Sequence, residues 1–233
     1  MGKRGDPRRT KRASLAAAGL LCGMLGTIPA QAEPVMVKQQ QPLPNDVWMD
    51  MVGKSWHPGR GCPSQANLVL LTVPFRSFAG QTAMGELVVA KSAAPAVSRI
   101  FSELYRTAAF RIERMERVDK YGGSDDASMA ANNTSAFNCR TVAGSPNLSA
   151  HALGMAIDIN PVQNPYVKGA EVDPPQGRAF DSLAKRQAAH DRGEPGIILA
   201  GGAAVTAFKQ HGWKWGGDWT TLKDYQHFSA TGR

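Results

Sequence analysis

The stretch Ser149-Ala150-His151-Ala152-Leu153-Gly154-Met155-Ala156-Ile157-Asp158 decides how this chain is read. Ala156 to Ile159 is apolar except at Asp158 and reads as a buried strand. A carboxylate in such a run is costly to bury unless a cation or hydrogen-bond donors meet it. About seventy residues later, Asp224-Tyr225-Gln226-His227 brings a second carboxylate and a second imidazole to the start of a last strand, expected at Gln226–Ala230. Two histidines and one carboxylate form the donor set of a catalytic zinc site, which leaves the fourth position to water. A capped or hydrogen-bonded aspartate at a strand end accounts for the same residues without a metal. Residue types and spacing leave both readings open.

Outward from this segment, Leu68 to Phe75 and Met84 to Val89 are β-leaning runs that suit an antiparallel pair. Ser92 is the expected cap of a helix over 93–108, where Val97, Ile100, Phe101, Leu104 and Tyr105 recur at helical spacing. A short strand near Arg114–Val118 follows, then a polar loop over 122–135 in which Asp125 and Asp126 are expected to be solvated. Residues 160–178, with four prolines, read as loop. Helices are expected over 179–191 and 203–211, the second closed by Gly212. Trp213 and Trp215 flank Lys214, one expected in the core and the other on a groove wall. Residues 33–66 read as an extended arm and loop, docked through Trp48, Met49, Met51 and Val52. The expected architecture is α+β, a small antiparallel sheet carrying the site and flanked by two or three helices.

The chain has 233 residues, 42% hydrophobic and 20% charged, enough for one packed domain of about 67–233. Its formal charge of +8 is concentrated at the start: six basic residues and one acid lie in residues 1–32, so the remainder carries only +3. That balance gives no electrostatic case for nucleic-acid binding. The basic stretch, the apolar run Ala13 to Ile28 and Ala30-Gln31-Ala32 have the layout of a secretory signal peptide over 1–32. No later segment is long enough to span a membrane, and the mature chain is expected to be a monomer in the periplasm or cell wall. Removal of the leader takes Cys22 and leaves Cys62 and Cys139, an even pair in an oxidising compartment and so an expected disulfide. The competing role for Cys139 is metal ligation.

Ser149-x-His151-x-x-Gly154-x-Ala156-x-Asp158 resembles the signature of the zinc D-Ala-D-Ala carboxypeptidases of the VanY type. These share a fold with phage L-alanyl-D-glutamate endolysins and the hedgehog signalling domain. The family's downstream carboxylate-x-x-His is matched by Asp224-x-x-His227, after Trp215-Gly216-Gly217-Asp218-Trp219. The resemblance extends from about Leu68 to Phe228. It implies Zn2+ held by His151, Asp158 and His227, with Asp224 as general base and Ser149 binding substrate or orienting the site. It further implies an arginine for the oxyanion; Arg140, in Phe137-Asn138-Cys139-Arg140, is the nearest candidate, although the commoner pattern places that arginine in a Tyr-Arg turn further upstream. Asp218 is read either as support for a ligand histidine or as a turn residue, while His57, His190 and His211 have no ligand role. The implied activity is hydrolysis of peptidoglycan stem peptides, first as a D,D-carboxypeptidase and second as an L-alanyl-D-glutamate endopeptidase. A metal-stabilised module that binds wall peptides without cleaving them is the rival reading.

Overall fold

The run Leu68-Val69-Leu70-Leu71 is apolar at every position because the strand it forms is covered on both faces. This is seen in a computed structural model that describes Met1, Gly2 and residues 36–232; the expected leader lies, from Lys3 on, outside the described residues. The elements all belong to the unit Val35–Arg233. Strand β1 (Lys38–Gln40), helix α1 (Asn45–Met51), strand β2 (Leu68–Arg76) and strand β3 (Thr82–Ala90) open it. The sheet runs β1-β2-β3, antiparallel throughout, and the β2–β3 pairing extends from Leu68↔Ala90 to Arg76↔Thr82.

Side chains alternate across β2, so Val69, Leu71, Val73 and Phe75 enter the main core while Leu68 and Leu70 face a smaller one. In the main core they meet Val97, Ile100, Phe101 and Leu104 of helix α2 (Ala94–Thr107). The smaller core is closed by Leu43, Val47 and Met51. The arm is therefore partly helical, and its docking residues follow helical spacing: Val47 and Met51 point inward, while Met49 and Val52 are exposed. Trp48 packs on Trp56, ring centroids 4.5 Å apart. The buried Arg117 guanidinium ties α1 to the sheet, pairing with Asp50 at 3.0 Å, Glu86 at 3.1 Å and Asp119 at 3.1 Å. Ser92 does not cap α2. The residue before the helix is Ala93, and the Ser92 hydroxyl lies 3.8 Å from the Met155 sulfur.

After β4 (Arg114–Met115), the segment expected to be polar loop holds helix α3 (Asp125–Ala130) and strand β5 (Asn133–Thr134), which pairs parallel to β4. The Ser124 hydroxyl accepts from the Ala127 N–H and starts the helix. Polarity misled here because Asn133 is fully buried for backbone satisfaction: it accepts from the Glu116 N–H and donates to the Glu116 carbonyl. Strand β6 (Ala156–Asp158) is the expected buried strand. The expected loop 160–178 instead folds back as the hairpin β7 (Tyr166–Lys168) and β8 (Glu171–Asp173). Helices α4 (Leu183–Asp191) and α5 (Ala203–Gln210) then lead to β9 (Lys214–Trp215), β10 (Lys223–Asp224) and β11 (His227–Ser229).

The last strands complete two further antiparallel sheets, β6-β11-β9 and β10-β7-β8. The architecture is α+β, with a small antiparallel sheet at the expected site. Five α-helices occur among the described residues, more than the two or three expected, because α1 and α3 are too short to register as a hydrophobic period. Both Trp213 and Trp215 are buried, so neither is a groove wall. The Trp213 N–H donates to the Phe208 carbonyl at the end of α5, and its ring packs edge-on against that of Phe208. Trp215 packs near Phe228 and donates its indole N–H to the Tyr225 carbonyl at 2.8 Å.

Cys62 and Cys139 are joined in a disulfide that closes a separation of 77 residues. Loop-closure entropy for that length corresponds to about 4 kcal/mol of stabilisation. The denatured mature protein is expected to show no reactive thiol from this pair, and Cys62→Ser/Cys139→Ser to lose about 4 kcal/mol in urea unfolding. A loss below about 1 kcal/mol would mean that the loop ends are held together without the bond.

Candidate functional site

A rail of backbone from Ser135 to Arg140 positions the motif. Ser135 and Asp158 exchange backbone hydrogen bonds at 3.0 and 2.9 Å. The Asn138 N–H donates to the His151 carbonyl at 3.3 Å, and the Ser149 N–H donates to the Arg140 carbonyl at 3.1 Å. His151 opens a 3-10 turn, His151–Leu153, closed by Gly154 at φ +68°. Gly154 is required twice over. Its φ is left-handed, and a Cβ there would lie 2.4 Å from the Ala90 backbone nitrogen, which donates to the Gly154 carbonyl. The turn is thus seated on the end of β3.

Asp158 ends β6 and His227 begins β11, and the two are register partners across the antiparallel pair. Side chains of partnered residues share one face, so residues far apart in sequence meet. The Asp158 carboxylate lies 3.1 Å from His151 Nε2 through one oxygen and 3.1 Å from His227 Nδ1 through the other. The two ring nitrogens are themselves 3.1 Å apart, and all three side chains are buried, none more than 7% exposed.

His151 Nδ1 lies 2.7 Å from the Ala136 carbonyl, which can only accept, so the ring hydrogen is on Nδ1 and Nε2 presents a lone pair to the cluster. A carboxylate and an imidazole lone pair facing a second imidazole in a dry site require positive charge between them. A shared proton or a metal ion meets that need. Burial opposes protonation of His151, but the Asp158 carboxylate outweighs it and raises the pKa. Burial likewise favours neutral Asp158, yet the two imidazoles hold its pKa well below the usual carboxylate range. The two imidazoles and the carboxylate can present one donor atom each within 4.8 Å of one another. With its tautomer set by a backbone carbonyl, this donor set suits a catalytic zinc.

Asp224 stands three residues before His227, on β10, paired with Tyr166 of β7. Its backbone packs so closely on Gly216 that a Cβ there would meet the Asp224 carbonyl oxygen at 2.5 Å, which accounts for the first glycine of Trp215-Gly216-Gly217. Asp224 Oδ1 is sealed from solvent and has no hydrogen-bond partner. Burial lifts this carboxyl from 3.8 to about 7; Asp158 adds to the rise, and His227 and Arg140 act against it.

Arg140 borders the same site. Its charge acts on both His151 and Asp224, and its Nη2 pairs with Asp125 at 2.8 Å. Asp125 is therefore ion-paired rather than simply solvated. No sequence signal points to that pair, although Ser124-Asp125-Asp126 is a legible helix start. The Ser149 hydroxyl accepts from the His151 N–H at 3.2 Å, which places it under the histidine. Asp218 supports no histidine. It pairs with Lys209 of α5 at 2.7 Å, while the Trp219 ring lies 5.4 Å from that of His227. His57, His190 and His211 are outside the cluster, and Cys139 is in the disulfide rather than a metal set.

An α+β domain that buries a two-histidine, one-carboxylate cluster beside a carboxyl of raised pKa has a donor set able to hold a metal ion. Residues 143–230 match the family model described as D-alanyl-D-alanine carboxypeptidase, so the resemblance borne by the Ser149–Asp158 and Asp224–His227 motifs holds. The match supports a carboxypeptidase-like metallopeptidase. It spans His151, Asp158, Asp224 and His227 but not Asp125, Cys139 or Arg140. No curated protein and no solved structure matches the chain.

The raised pKa of Asp224 carries a stability consequence. The unfolded chain releases this proton near pH 4 and the folded chain near 7, so stability falls as pH rises through that window and the penalty is complete above it. In chelator-treated protein, Asp224→Asn is expected to melt with the wild type near pH 4 and above it at about pH 8, by at most about 4 kcal/mol. Parallel melting profiles across the window would contradict the burial of this carboxyl.

Proposed function

We propose that this protein is a secreted zinc metallopeptidase that hydrolyses peptidoglycan stem peptides, foremost as a D-Ala-D-Ala carboxypeptidase. The observation that carries the reading is the convergence of His151 Nε2, His227 Nδ1 and the Asp158 carboxylate, buried beside Asp224. The family matched over residues 143–230 supports the bond class. The Cys62–Cys139 disulfide and the leader-like residues 1–32 support export to an oxidising compartment. No helix among the described residues is long and apolar enough to cross a membrane.

His151, Asp158 and His227 would hold the ion. The chemistry zinc supplies in such a site is polarisation of a carbonyl and a fall in the pKa of water toward about 7. Asp224, whose buried Oδ1 has no hydrogen-bond partner, takes the proton from the attacking water and returns it to the leaving amine. Arg140 donates to the carbonyl oxygen as negative charge develops on it. Ser149 acts by orienting the ligand histidine, because its hydroxyl is engaged with the His151 N–H.

Incubation of the zinc-loaded mature protein with muropeptides, read by mass spectrometry, tests the activity and bond choice together. Loss of a terminal D-Ala is the expected product. Release of the stem after L-Ala would assign the endopeptidase reading, and no new product would leave a binding module. Asp224→Ala is expected to retain zinc by elemental analysis while turnover falls by about 10²–10⁴. His151→Ala is expected to lose the metal. Equal metal loss in both variants would make Asp224 a ligand and not the base.

A further inference from the structure

The family match begins at residue 143, and Arg140 and Asp125 lie before it. Arg140 is held by its backbone on two sides: its N–H donates to Asn138 and its carbonyl accepts from Ser149. The neighbouring Cys139 is anchored through the disulfide and through its N–H to Ser55. Only the side chain is left to be placed, and Asp125 places it. The two side chains are 31% and 26% exposed, half-buried at the rim. Asp125 is the first residue of α3, and the Ser124 cap fixes its backbone. The Asn138 amide also donates to the Gly123 carbonyl, which ties the start of α3 to the rail that carries Arg140.

The ion pair uses Nη2 of the guanidinium. Arg140 Nε is buried and has no partner, as are Asp224 Oδ1 and His227 Nε2. Seven buried side-chain polar atoms lack a partner among the described residues, Arg140 Nε being one of them; beside the cluster, such an N–H can receive a ligand's acceptor.

We propose that Asp125 is a positioning residue of the peptidase site: its ion pair holds the Arg140 guanidinium in the orientation in which the remaining N–H groups receive the substrate's carbonyl oxygen. This rests on the peptidase reading above. It assigns Arg140 a neutral carbonyl that gains charge during the reaction rather than a permanent carboxylate, because the partner aspartate already balances the arginine.

Two measurements test the assignment. The first is a double-mutant cycle in turnover, comparing wild type, Asp125→Asn, Arg140→Ala and the double variant, each with its zinc content measured. Asp125→Asn is expected to lower kcat by at least about tenfold with KM changed less than about threefold, and to add nothing in the Arg140→Ala background. Asp125→Glu, which keeps the charge, is expected to recover part of kcat. A smaller fall in kcat, an equal fall in the Arg140→Ala background, or loss of zinc in Asp125→Asn would overturn it. The second measurement does not depend on activity: in 15N-labelled protein the Arg140 Nε–H resonance, identified by its absence in Arg140→Lys, is expected to be resolved in the wild type and exchange-broadened in Asp125→Asn. An unchanged resonance would overturn the positioning role. A wild type that cleaves no muropeptide would end the peptidase reading, and the resonance would still report on the pair.

Discussion

Asp158 and His227 are cross-strand partners, and this register underlies the rest of the site. A slip of one residue between β6 and β11 would turn one of the two side chains to the opposite face. The register is held by apolar packing rather than by the polar cluster. Ile157 and Phe228 alternate with the site residues and are fully buried in the main core against Phe208 and Trp215. One face of this three-stranded sheet therefore stabilises the fold while the other gathers charge. The cost of a buried carboxylate falls on the second face and is offset there by two imidazoles and whatever cation they share.

Around the sheet, backbone groups do most of the orienting. The carbonyl of Ala136 sets the tautomer of His151, and the hydroxyl of Ser149 holds its amide. The rail 135–140 that supplies these contacts is clamped by the disulfide at Cys139 and by Phe137, whose N–H donates to Val88 of β3. On the far side, the buried Arg186 donates to the carbonyls of Gln163 and Ile198 and to Asn164, and its guanidinium lies 4.1 Å from the Tyr225 ring centroid. Burial lowers its pKa to about 10, with no carboxylate bonded to it. Tyr225 sits between Asp224 and His227, so this cation steadies the short segment that bears both. A rigid surround of this kind suits a site whose reacting groups must keep fixed separations.

Residue patterns carried the local features whose causes are local. The alternation in β2 and β3, the helical period of α2 and the glycine after α5 are set by side chains within one or two turns of each other. The spacing of His151 and Asp158 is legible for a related reason: one tight turn and one strand place them on the same site. The short helices α1 and α3 were hidden because seven and six residues are too few for a period to stand out. The β7–β8 hairpin was hidden by prolines that read as loop. Asp125 seemed a solvated acid because nothing near it in sequence announces Arg140.

The sequence by itself carried the α+β class, the His151–Asp158 motif, the count of cysteines and, through a family resemblance, the candidate ligands and base, since these are matters of residue type and motif. Only the tertiary structure decided which lone pairs face one another, which arginine borders the cluster and which acid holds it. Those are distances between segments tens of residues apart. They are set by strand register, by the packing of two cores against β2, and by the backbone rail that the disulfide anchors.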